Sequence, residues 1–339
     1  MKKRLLIIAG SLLLAGLLGA WLILWVPNTF EGDRFVIVSK GENFSQVMDS
    51  LQNAGVIRVR VLFSAAGRIL GLTTRMQIGK YRFRSGMSNK EILEDLRYGK
   101  TIETITVVLP EGLRATRIAK ILDHQLGIDS SRFMLLVHDT TFIGRLGIHA
   151  PSLEGYLFPS TYRLYWQEDE TEIIKQLVQG FWMFFNDSLK SVVSSKHLTL
   201  NEVLTVASIV EGETSVDSER FVIAGVYYNR LRRGMRLEAD PTVEYLLGDE
   251  QRRLHYSDLF RESPYNTYRH TGLPPGPISN PGKASILAAL SPKKHNYLFF
   301  VANGTGGHTF SVSYKQHLRA AKKYRKLRDE QAKEESDNG

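Results

Sequence analysis

The chain has 339 residues, of which 43% are hydrophobic and 23% are charged, a balance typical of a folded protein with two or three domains. It has no cysteine, which excludes a disulfide framework, a thiol nucleophile and thiolate metal sites. The formal net charge is +9, but no stretch interleaves aromatic with basic residues in a recognisable nucleic-acid module, so a basic surface facing anionic lipid or an anionic polymer is favoured over nucleic-acid binding.

The N-terminal segment predicts a membrane span. A run of 22 uncharged residues extends from Leu5 to Val26. As a helix it would measure about 33 Å, enough to cross a hydrocarbon core of about 30 Å. Three consecutive cations before it and Pro27 after it favour a span over a buried core helix. A signal peptide usually has a shorter apolar stretch and is followed by an A-x-A cleavage site, and no clear site of that kind follows this run. We therefore predict an uncleaved anchor with a cytoplasmic N-terminus.

Three segments after the anchor share one plan: a short strand, a glycine, an amphipathic helix and a closing glycine. The predicted strands are Phe35–Val38, Tyr81–Arg84 and Ile105–Leu109, and the closing glycines are Gly55, Gly99 and Gly127. Glycine suits a helix C-terminus, where a left-handed residue is needed. Such units are as typical of simple α+β packing as of a small module that presents a binding groove.

Beyond about residue 130 the pattern predicts a larger, more helical domain. Residues 170–190 and 200–233 have helical patterns, and 235–280 form a polar region rich in Pro, Gly, Asn and Tyr. A helix is predicted to begin at Asn280-Pro281, with asparagine as the cap. A hairpin is predicted around residues 303–307, followed by a charged helix from Tyr314.

Several reaction classes have motifs that this sequence lacks. It contains no H-E-x-x-H, no G-x-S-x-G and no Walker loop, and its nine histidines form no helical i, i+4 pair. We therefore predict no metal site and no cofactor. Carboxylates, tyrosines and asparagines remain in quantity, and these are typical of a carbohydrate site.

The strongest candidate for chemistry is the helix predicted after Thr199, which has capping-box spacing to Glu202. Its apolar stripe consists of Val203, Val206, Ala207 and Val210. Glu213 continues that stripe, and a carboxyl group against apolar walls has a raised pKa, as a general acid requires near neutral pH. Glu211 lies two residues earlier, and spacing alone does not separate the two acids.

The chain resembles the YceG-like endolytic murein transglycosylases over nearly the whole part after the anchor. The resemblance is carried by the strings EGYLFPSTY (154–162), ASIVEGET (207–214), YNRL (228–231), GMRLEADPTV (234–243), YNTY (265–268), GLPPGPI (272–278), NPG (280–282) and GGHTF (306–310). The family's catalytic glutamate is the second acid of the E-x-E-T string, which corresponds to Glu213. Two positions depart from the family pattern: Gly212 stands where lysine is common, and Glu238 where glutamine is frequent.

The resemblance implies an α+β fold with a single N-terminal transmembrane helix, a small LysM-like α/β module and a lysozyme-like lytic transglycosylase catalytic domain. The expected boundaries are 1–27 for the cytoplasmic tip and anchor, 34–128 for the module, 129–330 for the catalytic domain and 331–339 for a polar tail. The expected location is the cytoplasmic (inner) membrane, with the catalytic domain on its outer, periplasmic side.

The resemblance also implies cleavage of MurNAc-β-1,4-GlcNAc bonds in nascent peptidoglycan strands, with 1,6-anhydroMurNAc ends, which terminates strand elongation. Beside Glu213, the cleft residues expected to bind substrate are Glu238, Asp240, Tyr265 and Asn266, although a loop-stapling role is equally open for the last two. The family further implies peptidoglycan synthases (penicillin-binding proteins) as partners. The residues alone equally allow a hydrolytic muramidase, and a non-catalytic wall-binding scaffold is the alternative from another class.

Overall fold

The computed structural model describes residues 2–195, 198–248 and 252–337 and contains both helices and sheets. The chain forms two compact units. The first is the chain up to Val107 with the segments 122–128 and 163–169, and the second contains the remaining residues.

The N-terminal helix α1 extends over Lys2–Trp25. Its segment Ile7–Trp25 is long and apolar enough to cross a membrane, and most of its side chains are exposed. Leu24, near its end, is buried in the core of the first unit. The predicted apolar helix is confirmed and is consistent with a single-pass anchor.

The first unit is a small three-stranded sheet covered by helices. Its elements after α1 are β1 (Arg34–Val38), α2 (Phe44–Asn53), α3 (Arg60–Leu70), β2 (Gly79–Phe83), α4 (Asn89–Tyr98) and β3 (Ile102–Glu103). The sheet order is β1-β2-β3, and both pairings are antiparallel, with Val36 opposite Tyr81. Asn43 and Ser88 begin α2 and α4 with complete capping boxes, and Gly99 ends α4 in the left-handed conformation at φ 67°. These local signals explain why the strand–helix plan is visible in the sequence.

Helix α3 lies where the sequence plan predicted no element. One of its faces is buried through Phe63 and Ala66, while Val61, Leu62 and Ile69 are exposed. Its apolar residues form one broad stripe opposite Arg60, Ser64 and Arg68, so the helix is visible in the sequence pattern although the plan of three strand–helix units omits it.

The rest of the chain is mainly helical and belongs largely to the second unit. From residue 105 onward the elements are β4 (Ile105–Leu109), α5 (Ala115–Leu126), α6 (Ser130–His138), α7 (Thr140–Arg145), β5 (Ser160–Leu164), α8 (Glu170–Phe184), α9 (Asp187–Ser195), α10 (Leu200–Glu213), α11 (Asp217–Arg232), α12 (Asp240–Leu246), a 3₁₀ turn (Tyr256–Phe260), α13 (Lys283–Leu290), β6 (Phe299–Ala302), β7 (His308–Ser311) and α14 (Tyr314–Asp337). Helices α10, α11 and α13 pack on one another around a core that includes Val206, Val210 and Ile286.

Most predicted elements of this unit are present. Helix α10 starts with the Thr199–Glu202 capping box, and β6 and β7 form the predicted hairpin. The polar region 235–280 also contains α12, whose first turn accommodates a proline. Helix α14 continues to Asp337, so the predicted polar tail from residue 331 begins as helix, and residues 338–339 lie outside the described residues.

The predicted cap of α13 is wrong. The cap is Gly282 rather than Asn280, and the helix starts at Lys283. The Asn280 side chain instead accepts hydrogen bonds from the backbone N–H of Gly155 and Leu157, both at 2.9 Å. A long-range hydrogen-bond partner therefore replaced the local one that the sequence suggests.

Gly225→Ala is expected to destabilise the second unit by about 1–3 kcal/mol, because the residue has no room for a side chain. On α11, a β-carbon at Gly225 would lie 2.5 Å from both the Lys293 carbonyl oxygen and His295 Nε2. Thermal unfolding checks this prediction. Gly144→Ala in α7 is the matched control, since no atom lies within 4 Å of its β-carbon position. Equal melting temperatures of the two variants would contradict the packing argument.

Candidate active site

Glu213 lies at the C-terminal end of α10, beside a cavity of about 240 Å³. The residues that line this cavity are Glu213, Arg230, Leu237, Glu238, Asp240, Tyr268, Phe300 and His317. They come from α10, α11, α12, α14, the hairpin and the connecting loops. Of the predicted site residues, the structure thus brings together Glu213, Glu238 and Asp240. In the part of the chain that the structure describes, no three His, Asp or Glu side chains are grouped to hold a metal ion.

The carboxyl group of Glu213 is held by Tyr227 on α11. The Tyr227 hydroxyl donates a hydrogen bond of 2.5 Å to Glu213 Oε1. Tyr227 itself is 1% exposed, and its ring packs edge-on against Phe300. Tyr227 is not among the predicted site residues, although it precedes Arg230 by three positions and so shares its helix face.

Burial raises the pKa of Glu213 to about 7. The hydrogen bond from Tyr227 and the positive charge of Arg230 lower it, whereas the negative charges of Asp240 and Glu244 raise it further. A carboxyl group with this pKa is partly protonated near neutral pH, so it can donate a proton and afterwards accept one.

Arg230 forms one wall of the cavity and is fixed by several acceptors. It donates hydrogen bonds to the carbonyl oxygens of Leu298 at 2.7 Å and Leu237 at 2.8 Å. It also pairs with Glu238 Oε2 at 3.0 Å. Glu238 has a left-handed backbone with φ 50°, unusual for a residue with a side chain. The extra acid expected near the cleft is therefore neutralised by Arg230, and its side chain remains 48% exposed.

Asp240 stands in the first turn of α12 and accepts a hydrogen bond of 2.5 Å from the Tyr268 hydroxyl. The following residue, Pro241, lies against Gly212, where a β-carbon would be 2.7 Å from the proline Cβ. A lysine at position 212 would require this contact to widen. Glycine there allows α12, and Asp240 with it, to lie close to the end of α10.

Asn266 is not among the residues that line the cavity. It is fully buried, and its Nδ2 donates to the carbonyl oxygens of Leu259 at 3.0 Å and Arg261 at 2.7 Å. Its Oδ1 accepts a hydrogen bond from the Tyr268 backbone N–H at 2.9 Å. These hydrogen bonds are those of a loop staple, and the last of them holds the backbone of Tyr268.

Tyr265 also lies outside the cavity lining and packs against Tyr245, with ring centroids 4.9 Å apart. Glu154, from the first string of the resemblance, is buried and accepts hydrogen bonds from Ala115 N–H at 3.0 Å and Asn280 Nδ2 at 2.8 Å. Burial raises the pKa of Glu154 to about 7 as well. A raised pKa therefore does not by itself identify the reacting acid, and the cavity beside Glu213 makes the difference.

Glu211, the other acid of the string, is a partner in a buried ion pair. Its Oε1 lies 2.8 Å from Arg220 Nη1, and the two side chains are 8% and 6% exposed. Its second oxygen accepts a hydrogen bond from the Gly282 N–H at 2.8 Å. The two acids that spacing left equivalent thus have different surroundings: Glu211 is engaged within the core, and Glu213 faces the cavity.

His317 on α14 is a cavity residue that no local sequence pattern indicates. Its Nδ1 is buried and has no hydrogen-bond partner, and its ring stacks on Phe299 at 5.4 Å. Burial lowers the pKa of His317, and Arg230 lowers it further, while Glu238 raises it. A neutral imidazole at the cavity wall can offer a hydrogen bond to a bound hydroxyl or amide group.

Comparisons with known proteins agree on one family. The model of the YceG-like family matches residues 36–323. An endolytic murein transglycosylase of Bacillus subtilis is 33% identical over 302 residues, which cover 85% of this chain and 83% of that protein. A Streptococcus pneumoniae protein of the same name is 30% identical, and the match spans 84% of this chain but only 57% of that protein. The crystal structure of a putative yceG-like protein from Listeria monocytogenes, 31% identical, has a TM-score of 0.60 and covers 86% of this chain and 99% of its own.

Proposed function

The chain belongs to the YceG-like family of peptidoglycan lytic transglycosylases, and we propose that Glu213 is the single acid–base with which it cuts glycan strands. One observation carries the assignment of Glu213. Its carboxyl group lies at a cavity with its pKa raised to about 7, while the neighbouring Glu211 is paired with Arg220.

The reaction uses the carboxyl group of Glu213 twice, first as an acid and then as a base. Protonated Glu213 donates to the glycosidic oxygen between MurNAc and GlcNAc, and the bond from that oxygen to C1 breaks. The C6 hydroxyl of the same MurNAc then forms a bond to C1 and gives its proton to the Glu213 carboxylate. This closes a 1,6-anhydro ring and regenerates the acid. Because the attacking hydroxyl is tethered to the reacting sugar, its effective concentration is high and no water is consumed.

The charges around the cavity suit this sequence of steps. The C1 centre becomes positively charged as its bond breaks, and the carboxylate of Asp240 at the same cavity supplies negative charge. The Tyr227 hydroxyl holds one oxygen of Glu213, so that the other oxygen is left to exchange the proton. His317 contributes its imidazole ring to the lining of the same cavity.

The wider assignments follow from the same family. We propose a LysM-like module at 34–128, which is supported by the antiparallel strands β1 and β2 and by the two helices that lie between them along the chain. We propose the lysozyme-like domain for 129–330. Anchoring in the cytoplasmic membrane with the catalytic domain outside is supported by α1. We also propose that the protein terminates nascent strands and that it works beside peptidoglycan synthases.

A muramidase is the second candidate, and Asp240 is the observation that favours it. Hydrolytic glycosidases use two carboxylates, and Asp240 places a second one at the cavity of Glu213. In that case a water molecule would attack C1 in place of the C6 hydroxyl. The two reactions leave different strand ends.

The deciding experiment is a digest of uncrosslinked peptidoglycan strands by the full chain in detergent, with the products analysed by mass spectrometry. Anhydro ends, one water lighter than reducing ends, are expected. Reducing ends would replace the lytic mechanism by the hydrolytic one. Intact strands under all conditions would leave the wall-binding scaffold as the function.

Cleavage is expected to decline with rising pH, with a midpoint near pH 7, because the first step needs protonated Glu213, whose pKa is about 7. Tyr227→Phe removes a hydrogen bond that stabilises the carboxylate, so the pKa of Glu213 should rise and the decline should move to higher pH. Rates of strand cleavage across pH check this. Tyr228→Phe is the control, since that hydroxyl donates to the Ala289 carbonyl oxygen instead. A decline at the same pH in all three proteins would contradict the role of Tyr227.

A further inference from the structure

Helix α3 has a second apolar face that no protein element in the described structure covers. This outer face consists of Val61, Leu62, Ala65 and Ile69. Val61 is 75% exposed, Ile69 55% and Leu62 42%. At about 100° per residue, the four positions fall within an arc of about 100°. The opposite face, with Phe63 and Ala66, is fully buried in the first unit. The exposed apolar residues thus form one continuous strip.

This strip is carried by a helix that packs against the end of the anchor. Helix α3 contacts α1 within the first unit. Leu24 of α1 is 5% exposed in the core of this unit, and Ile23 packs against that core. The last turn of the anchor is therefore embedded in the same small unit to which α3 belongs.

The length of the anchor sets the depth of that turn. The apolar segment Ile7–Trp25 has 19 residues, which span about 28 Å as a helix, close to the thickness of the hydrocarbon core. The turn that contains Leu24 then lies where the acyl chains meet the headgroups. Helix α3 contacts α1, and its residues Phe63 and Ala66 belong to the same core cluster as Leu24, so we place α3 near this end of α1.

The surroundings of the strip have the chemistry of a membrane interface. Arg68 follows on the same helix next to the outer face and is exposed. Trp25, 45% exposed at the end of the anchor, has the Lys90 ammonium group 5.4 Å from its ring centroid. Tryptophan and cations beside an apolar strip are typical of segments that lie among lipid headgroups.

We propose that α3 is a second membrane contact, which lies in the outer interface of the bilayer with its outer face towards the acyl chains. The proposal rests on membrane anchoring by α1. The proposal has one consequence beyond anchoring. Two contacts fix the orientation of the first unit against the membrane, whereas a single helix would let the unit rotate.

The chain is suited to a direct test because it has no cysteine, so each introduced cysteine is labelled alone. Full-length Val61→Cys and Ile69→Cys, labelled with the fluorophore NBD, are reconstituted into phosphatidylcholine–phosphatidylglycerol vesicles. Both labels should shift to shorter wavelength and lose more than about half of their emission to lipids that carry a quencher near the headgroup. Leu135→Cys in the second unit, 74% exposed, is the control and should keep the emission of a label in water.

Two results would overturn the proposal. A label that keeps its emission in water shows that the strip faces solvent, and a shifted label that lipid does not quench shows that a second copy of the chain covers it. Leu13→Cys within α1 serves as the reference for the anchor and should be quenched by a deep lipid quencher. Loss of that signal would refute the anchoring itself, and is distinguishable from loss of the α3 signals alone. Strand cleavage by each labelled protein shows separately that its second unit remains folded and active.

Discussion

Glu213→Gln is expected to lower kcat/KM for strand cleavage by about 10³-fold or more, with little change in thermal stability. An amide has nearly the shape of the carboxyl group, and its oxygen can still accept the hydrogen bond from Tyr227. It cannot donate a proton to the glycosidic oxygen. Loss of a general acid typically lowers rates by about 10² to 10⁴, and the proposed reaction uses the same group in both proton transfers. Quantitation of anhydro ends by mass spectrometry measures the effect.

The matched control for this variant is Glu211→Gln, the same chemical change two residues earlier on the same helix. Because Glu211 is paired with Arg220 and does not line the cavity, its variant should keep most of the cleavage activity per amount of folded protein. Melting temperatures of both variants separate chemical from structural loss. Normal cleavage by Glu213→Gln, or equal loss in both variants after correction for folded protein, would remove Glu213 from its assigned role.

The part of the site that could be predicted from sequence is the part that local pattern controls. Helix α10 begins at its capping box and buries its apolar stripe, so Glu213 was expected at the end of that stripe. Asp240 and Glu238 were found because they stand in a string that resembles the family. Spacing could not separate Glu211 from Glu213, since the separation depends on Arg220 from α11 and on the Gly282 N–H.

The missed residues reach the cavity from distant parts of the chain. His317 belongs to the charged helix α14, in which nothing local distinguishes one histidine from a solvent-exposed residue. Tyr227 has an adjacent tyrosine, and only the direction in which α11 packs decides which hydroxyl meets Glu213. The cap of α13 failed for a similar reason, since Asn280 is used by the segment around Gly155. Local propensity is overridden wherever a buried polar group finds a partner far away in sequence.

Arg220→Met is expected to destabilise the second unit by about 3–5 kcal/mol, the largest stability effect that the structure suggests. The substitution keeps much of the apolar volume of the side chain but removes the charge paired with Glu211, and the carboxylate is left buried. It also removes the hydrogen bond of 2.6 Å to the Ser285 hydroxyl on α13. Burial and the charge of Glu211 already raise the pKa of Glu111, and Arg220 opposes that shift, so its loss leaves two acids without their shared cation.

The unpaired charge can be tested separately from the lost packing. If the charge is responsible, adding Glu211→Gln to Arg220→Met should restore part of the stability, because the double variant has no uncompensated carboxylate at that position. The single variant should also lose less stability near about pH 5 than near about pH 8, since burial raises the pKa of Glu111 and Arg220 no longer opposes that shift. Thermal unfolding of the four proteins at both pH values gives the comparison. A double variant no more stable than Arg220→Met, with the same loss of stability at both pH values, would show that packing and not charge explains the effect. The contrast between the core acid Glu211 and the cavity acid Glu213 would then lose its electrostatic basis.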